Sequence, residues 1–282
     1  MMREIAVEEI TKAIARLFQE ACYHLPEDVL EALKKARRSE ESPAGREALD
    51  RIMETTAISA EGEYPLCQDT GASVVFLELG QEIHITGGDL NQAINEGVRQ
   101  GYRQGYLRHS MVSHPFSSRI NTGDNTPAII HTDIIPGDRL KISVMPKGAG
   151  AENMSRLAVL PPSQGRDGVI DFVVNTVDEA DGNPCPPIII GVGIGGTTET
   201  TLILAKKALL RQAGEPHPDP EVAELEGEIL QRVNNLGIGP MGYGGRITAL
   251  AVHAETFPTH ITSLPVAVNL QCHSARHRET VL

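Results

Sequence analysis

The stretch Pro65-Leu66-Cys67-Gln68-Asp69-Thr70-Gly71 sets a thiol, an amide, a carboxylate and a hydroxyl in a turn bounded by proline and glycine. The run behind it, residues 72–79 (ASVVFLEL), is apolar and rich in β-branched side chains, which predicts a buried strand. Polar groups crowded against a stiff strand suit a site whose ligands must hold their geometry. Two further cysteines stand in similar surroundings, in Asn183-Pro184-Cys185-Pro186-Pro187 and Leu270-Gln271-Cys272-His273.

Downstream of the turn, strand and helix signals alternate. Residues 82–86 read as a strand, and Asp89 as the N-cap of a helix running to about residue 106. Residues 107–127 are polar and rich in His, Arg and Asn, and they lead at once into strands at 128–132 and 139–145, so the segment reads as an ordered, functional loop. Small residues at 147–153 mark a strand-to-helix turn in which backbone N–H groups can approach an anion. Residues 188–198 read as strand and glycine loop, followed by helices at 199–212 and 221–234 around a proline-rich break, then strands at 247–255 and 261–269.

Upstream, Ile5, Ile10, Ile14, Leu17 and Phe18 recur at helical spacing, as do Val29, Leu30 and Leu33. The expected fold is mixed α+β: one domain over 1–282, with a helical region over 1–60 packed on a mixed-sheet part.

Composition narrows the function classes. A net charge of -12 over 282 residues argues against a nucleic-acid partner. No apolar run approaches the roughly 20 residues needed to span a bilayer, and the N-terminus carries acids, so a cytoplasmic protein is expected. No CxxC pair occurs among the 4 cysteines. Cys22 falls inside an amphipathic helical pattern and reads as a small core residue.

Gly191, Gly193 and Gly196 satisfy GxGxxG, but the second strand and acid expected of a dinucleotide site are replaced by Gly214-Glu215-Pro216-His217-Pro218. A close-packed turn is the better reading. Cys67, Cys185 and Cys272 are separated by 118 and 87 residues. Three thiolates are what an iron–sulfur cluster needs when one iron stays open as a Lewis acid. Three unrelated buried thiols would produce the same spacing, so spacing alone leaves both readings open.

The segments PLCQDTG, KGAGAEN, GVGIGGT and FPTHITSLPVAVNLQCHSARH, in that order over nearly the whole chain, resemble the α subunit of two-subunit, iron–sulfur (class I) fumarases and their relatives, the L-tartrate dehydratases. The resemblance implies a [4Fe–4S] cluster held by Cys67, Cys185 and Cys272, with the fourth iron open to substrate. It implies substrate contacts at Gln68, Asp69, Arg108, the Gly150 backbone and His260. Asp69 is the nearer candidate for acid/base work, with His260 as the alternative. One departure is the glycine loop, which reads KGAGA where single-chain relatives resemble KGGGS, so a hydroxyl is missing at Ala151.

The implied reaction is reversible hydration of fumarate to (S)-malate, with dehydration of L-tartrate as the alternative and a non-catalytic iron–sulfur sensor as a distant third. The arginines, lysine and threonine that a C-terminal domain supplies in single-chain relatives are expected on a separate β subunit. An α2β2 assembly acting on a small dicarboxylate follows.

Overall fold

The computed structural model describes residues 3–62 and 64–282; Met1 and Met2, at the head of the expected helical region, and Glu63 lie outside the described residues. The chain opens with β1 (Arg3–Ala6), α1 (Val7–Tyr23), α2 (Glu27–Ser39) and α3 (Pro43–Ala60), followed by β2 (Ala72–Gly80), β3 (Ile83–Thr86) and α4 (Leu90–Gln104). Next come β4 (Ile129–Ile135), β5 (Leu140–Lys147), the short α5 (Ala149–Glu152), β6 (Arg156–Leu160) and α6 (Gly165–Ala180). The last part holds β7 (Ile188–Gly195), α7 (Thr198–Ala208), α8 (Pro220–Asn234), β8 (Ala249–Phe257), β9 (Leu264–Gln271) and β10 (Arg278–Val281). The mixed α and β character expected from sequence is what the chain adopts.

These elements form two compact units. The first takes the chain up to Pro26, Thr56–Ala149 and Arg276–Leu282; the second takes Glu27–Thr55 and Gly150–Ala275. The N-terminal helices are therefore not one layer on one sheet: α1 belongs to the first unit, while α2 and most of α3 belong to the second.

In the first unit β10, β5, β2 and β4 lie side by side, with β2 parallel to β4 and antiparallel to β5. Ile10, Ile14 and Phe18 of α1 and Val98 and Tyr102 of α4 pack with Val75, Leu77 and Ile142 of this sheet into one core. The Asp89 carboxylate accepts from Gln92 N–H and caps α4 as expected.

In the second unit the order is β6-β9-β7-β8, with β7 parallel to β8 and antiparallel to β9. Val169, Ile170, Val173 and Val177 of α6 and Val222, Leu225 and Ile229 of α8 cover Ile188, Ile190, Val252 and Val268. The glycines of GVGIGG serve packing here. A Cβ on Gly191 would stand 2.0 Å from Ala205 O, and one on Gly193 would stand 2.1 Å from Thr201 O, so they let α7 lie directly on β7. Residues 154–182 carry no assignment from sequence alone, yet they form β6 and α6. Helix α6 starts at Gly165 with no capping side chain, which removes the usual start signal. Among the described residues, no helix is long and apolar enough to cross a membrane.

His253 on β8 is 1% exposed, and its Nδ1 faces Ala208 O at 3.2 Å, so that nitrogen carries the proton. Burial, reinforced by the Arg211 charge, pushes its pKa down from 6.5 to about 4, against the opposing pull of Glu226, the Ala208 carbonyl and Asp28. The unfolded histidine takes up a proton below 6.5 and the folded one only below about 4, so this contribution is intact above pH 6.5 and drains as pH falls through 4. Unfolding of the wild type and of His253→Leu in urea, followed from pH 7 to 4, is expected to show an acid loss in the wild type larger by up to about 3 kcal/mol. Parallel curves would remove His253 from the acid response.

Candidate active site

The Cys67 turn belongs to the first unit and is tied down on several sides. Gly71 (φ +76) sits where a Cβ would stand 2.5 Å from Lys147 C and O, so only glycine lets the turn close on β5. Gly71 N–H donates to Asp69 Oδ1 at 3.1 Å, an Asx-type closure, and Ala149 N–H donates to Asp69 Oδ2 at 2.8 Å. Leu66 N–H donates to Cys22 O at 2.8 Å, and the buried Tyr102 hydroxyl reaches Thr70 O at 2.8 Å. Cys67 and Asp69 are half-buried, while Gln68 is exposed.

The segment 107–127 is ordered, as its sequence suggests, and it is fastened to this turn. The Thr70 hydroxyl donates to Arg108 O at 2.7 Å, leaving the Arg108 side chain exposed at the root of the loop. The loop folds back on itself through a bridge between Val112 and Asn121. Asn125, wholly buried and at φ +60, closes it: its Nδ2 donates to Gly71 O at 3.1 Å and Ser73 Oγ at 3.0 Å, and its Oδ1 accepts from Ser110 N–H at 2.7 Å.

Cys185 and Cys272 belong to the second unit and share one end of its sheet. Gln271 pairs with Ile189, so Cys272 follows directly at the edge where β7 begins. Cys185 sits at φ +57, a left-handed conformation that non-glycine residues adopt mainly in constrained turns. His273 Nδ1 stands 3.0 Å from Cys185 O; a carbonyl only accepts, so Nδ1 carries the proton and joins the two cysteine segments. Gly150 is exposed, and a Cβ there would stand 3.4 Å from Asn183 O, which places it beside the Cys185 loop.

That loop rests on a residue that sequence reading missed. Glu40 is fully buried, and its carboxylate accepts from the N–H groups of Glu41, Ser42, Arg246 and Ile247 at 2.8–3.0 Å. Burial alone would raise its pKa, but the backbone donors outweigh it and hold the carboxyl below the ordinary range. The segment it holds continues from Met241, whose N–H donates to Pro186 O at 2.8 Å.

His260 lies elsewhere on the same sheet. It precedes β9, whose eight residues span roughly 27 Å, and Cys272 follows it. The Thr259 hydroxyl donates to Gly196 O at 3.1 Å, which sets His260 beside the glycine turn at the far end of β7. Thr262 N–H donates to His260 Nδ1 at 3.3 Å, so the ring proton is on Nε2. In one chain, Cys185, Cys272 and Gly150 share a neighbourhood that His260 does not. Within either unit, no three His, Cys, Asp or Glu side chains among the described residues stand together as a metal-binding group.

Compared with known families, residues 11–281 match Fumarate hydratase (Fumerase). The chain belongs to that family. It is a hydro-lyase of the fumarase class I α subunit and tartrate dehydratase α type. It is 45% identical over 273 residues to a Methanocaldococcus jannaschii protein named "Putative L(+)-tartrate dehydratase subunit alpha", covering 95% of each chain. It is 33% identical over 284 residues to the L(+)-tartrate dehydratase subunit alpha of Escherichia coli O157:H7, covering 99% of this chain and 92% of that one.

For a chain of this family, the thiols sort by environment. Cys67, Cys185 and Cys272 form no disulfide and are half-buried on irregular backbone. Cys22 is wholly buried in α1, and burial pushes its thiol up to about 11 despite the Arg276 charge nearby. Thiolate is the reactive and metal-binding form, so three cysteines fit a soft metal centre and the fourth does not. In the native chain treated with a chelator, an aromatic disulfide reagent at pH 8 is expected to titrate three thiols quickly and Cys22 only after denaturation. Fast labelling of Cys22 would overturn this division. Glu40→Gln, which keeps the shape and swaps an acceptor for a donor, is expected to cost about 2–3 kcal/mol in urea unfolding; a loss below a few tenths would mean that the Glu40 network is dispensable.

Proposed function

We propose that this chain is the α subunit of an L(+)-tartrate dehydratase, working as one module with a separate β subunit. The likeness that carries the substrate choice is the 45% identity at matching length to a relative of that name. The sequence reading put fumarate first; the named relatives favour L-tartrate, the alternative there. Fumarate hydration stays as the second reading because the matching family bears that name. The α-subunit names of both relatives support a β partner, for which α2β2 is the simplest assembly. A cytoplasmic setting suits free thiols.

On this reading Cys67, Cys185 and Cys272 hold a [4Fe–4S] cluster, and their chemistry fits it: three half-buried, soft donors outside any disulfide. When bound, such a cluster supplies a Lewis acid that polarises the departing hydroxyl. The chain's own groups do the rest. Dehydration breaks a C–O bond at one carbon and a C–H bond at the next; water leaves, and from tartrate the resulting enol tautomerises to a 2-oxo diacid. Gln68, Arg108 and the Gly150 backbone hold the carboxylates, with Arg108 placed by the Thr70 bond to its carbonyl. Asp69 moves the carbon-bound proton. Each of its oxygens accepts one backbone N–H, which fixes its direction and leaves lone pairs over for a proton. His260, at the other end of β9 from Cys272, would serve substrate from a second α chain.

The test is anaerobic co-production of this chain with its β subunit, with iron and sulfide determined per α chain and both substrates assayed. About four irons are expected, together with a kcat/KM for L-tartrate at least about tenfold above that for fumarate, a gap of about 1.4 kcal/mol in transition-state binding. Cys67→Ser should abolish both cluster and turnover. The reverse preference would make the enzyme a fumarase, and iron without turnover of either diacid would sink the catalytic reading.

A further inference from the structure

Among the described residues Arg276 is the largest fully buried side chain, 1% exposed, and it belongs to the first unit with Cys67 and Asp69. A guanidinium is always charged, so burying one is costly unless its fork is matched by acceptors or anions. Here Nη1 donates to Asp69 O at 2.6 Å, one of the short bonds of the whole turn. Nη2 and Asp69 Oδ2 both lie close to Gly148: a Cβ built there would stand 3.2 Å from the first and 3.3 Å from the second. Arg276 therefore meets the main chain of Asp69 and, like the Asp69 carboxylate, borders Gly148. The Cys22 thiol lies near enough to feel the Arg276 charge, and Leu66 N–H, next to Cys67, donates to Cys22 O.

We propose that Arg276 is a positioning residue for the Cys67-Gln68-Asp69 turn, fixing from within the first unit how the thiol and the carboxylate are presented. The proposal deepens the function proposed above and rests on it for the role of the turn. The contacts themselves stand without it. Two features distinguish this role from generic core filling. The guanidinium engages backbone of the site-bearing turn, which has no ladder to hold it, and Gly148 is a position where a Cβ would crowd both the guanidinium and the carboxylate. Lysine, a point donor on a flexible stem, lacks the planar fork that fixes the donor's direction.

The test uses Arg276→Met and Arg276→Lys in the full α chain, with labelling rates of Cys67, Cys185 and Cys272 read by mass spectrometry in the metal-free protein, and iron retention and kinetics read in the αβ complex. For Arg276→Met the Cys67 rate is expected to shift at least about fivefold while Cys185 and Cys272 stay within about twofold, since thiol reactivity follows local environment. In the loaded complex, kcat is expected to fall by at least about tenfold with a smaller change in KM, as for a misdirected acid/base group. Arg276→Lys should recover part of each effect. If Arg276→Met does not fold, Gly148→Ala crowds the same two groups with a single methyl group and should shift Cys67 labelling in the same sense. A folded variant with unchanged Cys67 labelling and unchanged kcat would overturn the proposal. A wild-type complex that takes up no iron would instead overturn the cluster reading, while the labelling comparison would still decide the role of Arg276.

Discussion

The constraint behind this site is that buried or half-buried main chain must find hydrogen-bond partners even where there is no helix or sheet to supply them. The cysteines put forward as ligands lie on irregular backbone, in the 65–71 turn, the 183–187 loop and the residues just past β9. Side chains do there what ladders do elsewhere. Asp69 takes the N–H groups of Gly71 and Ala149, Asn125 binds Gly71 O and Ser110 N–H, and Glu40 takes four backbone donors in the second unit. A carboxylate or amide used this way is unforgiving. Losing one partner leaves several buried groups unsatisfied together, which is why such networks rigidify a loop when complete.

That constraint explains which parts of the molecule can be read from sequence. The apolar, β-branched run of β2, the Asp89 cap of α4 and the glycine-rich β7 are local signals, and each marks an element found close to its expected place. The roles of Glu40, Asn125 and Arg276 are not local. A glutamate between two helices and an arginine four residues after a cysteine look solvated in sequence; only tertiary contacts bury them. Helix α6 escaped notice because it begins at a glycine without a cap, although its buried valines keep helical spacing. The glycine fingerprint shows the converse case. Its pattern fits a phosphate site, and the close passage of α7 over Gly191 and Gly193 gives it a packing cause.

The choice of substrate sits at a different level. Fumarate and L-tartrate call on the same Lewis-acid and proton-transfer chemistry, and they differ by hydroxyls that a few polar contacts must accept or reject. A site built to hydrogen-bond a substrate hydroxyl discriminates strongly against an analogue without it, whereas an apolar wall does so weakly. Those contacts are set by individual side chains, including any that a β subunit brings. The motifs shared across the family report the common chemistry, so full-length identity to named relatives carries more weight on this point than any motif.

Cys22 shows why residue type alone cannot define a ligand set. It is a cysteine near the same turn, with its carbonyl bound to Leu66 N–H and its thiol beside Arg276, yet it sits in the core of α1. A nearby cation lowers a thiol's pKa, and burial raises it; here burial wins and the value is pushed up to about 11. A metal must compete with the proton for sulfur, so each unit by which a thiol's pKa exceeds the ambient pH weakens binding by about a factor of ten. A thiol that is to bind metal needs partial exposure and backbone free to aim it, which helix interiors deny. The irregular segments around Cys67, Cys185 and Cys272 supply both, and the buried or half-buried carboxylates, amide and guanidinium described above are what let those segments stay irregular without becoming loose.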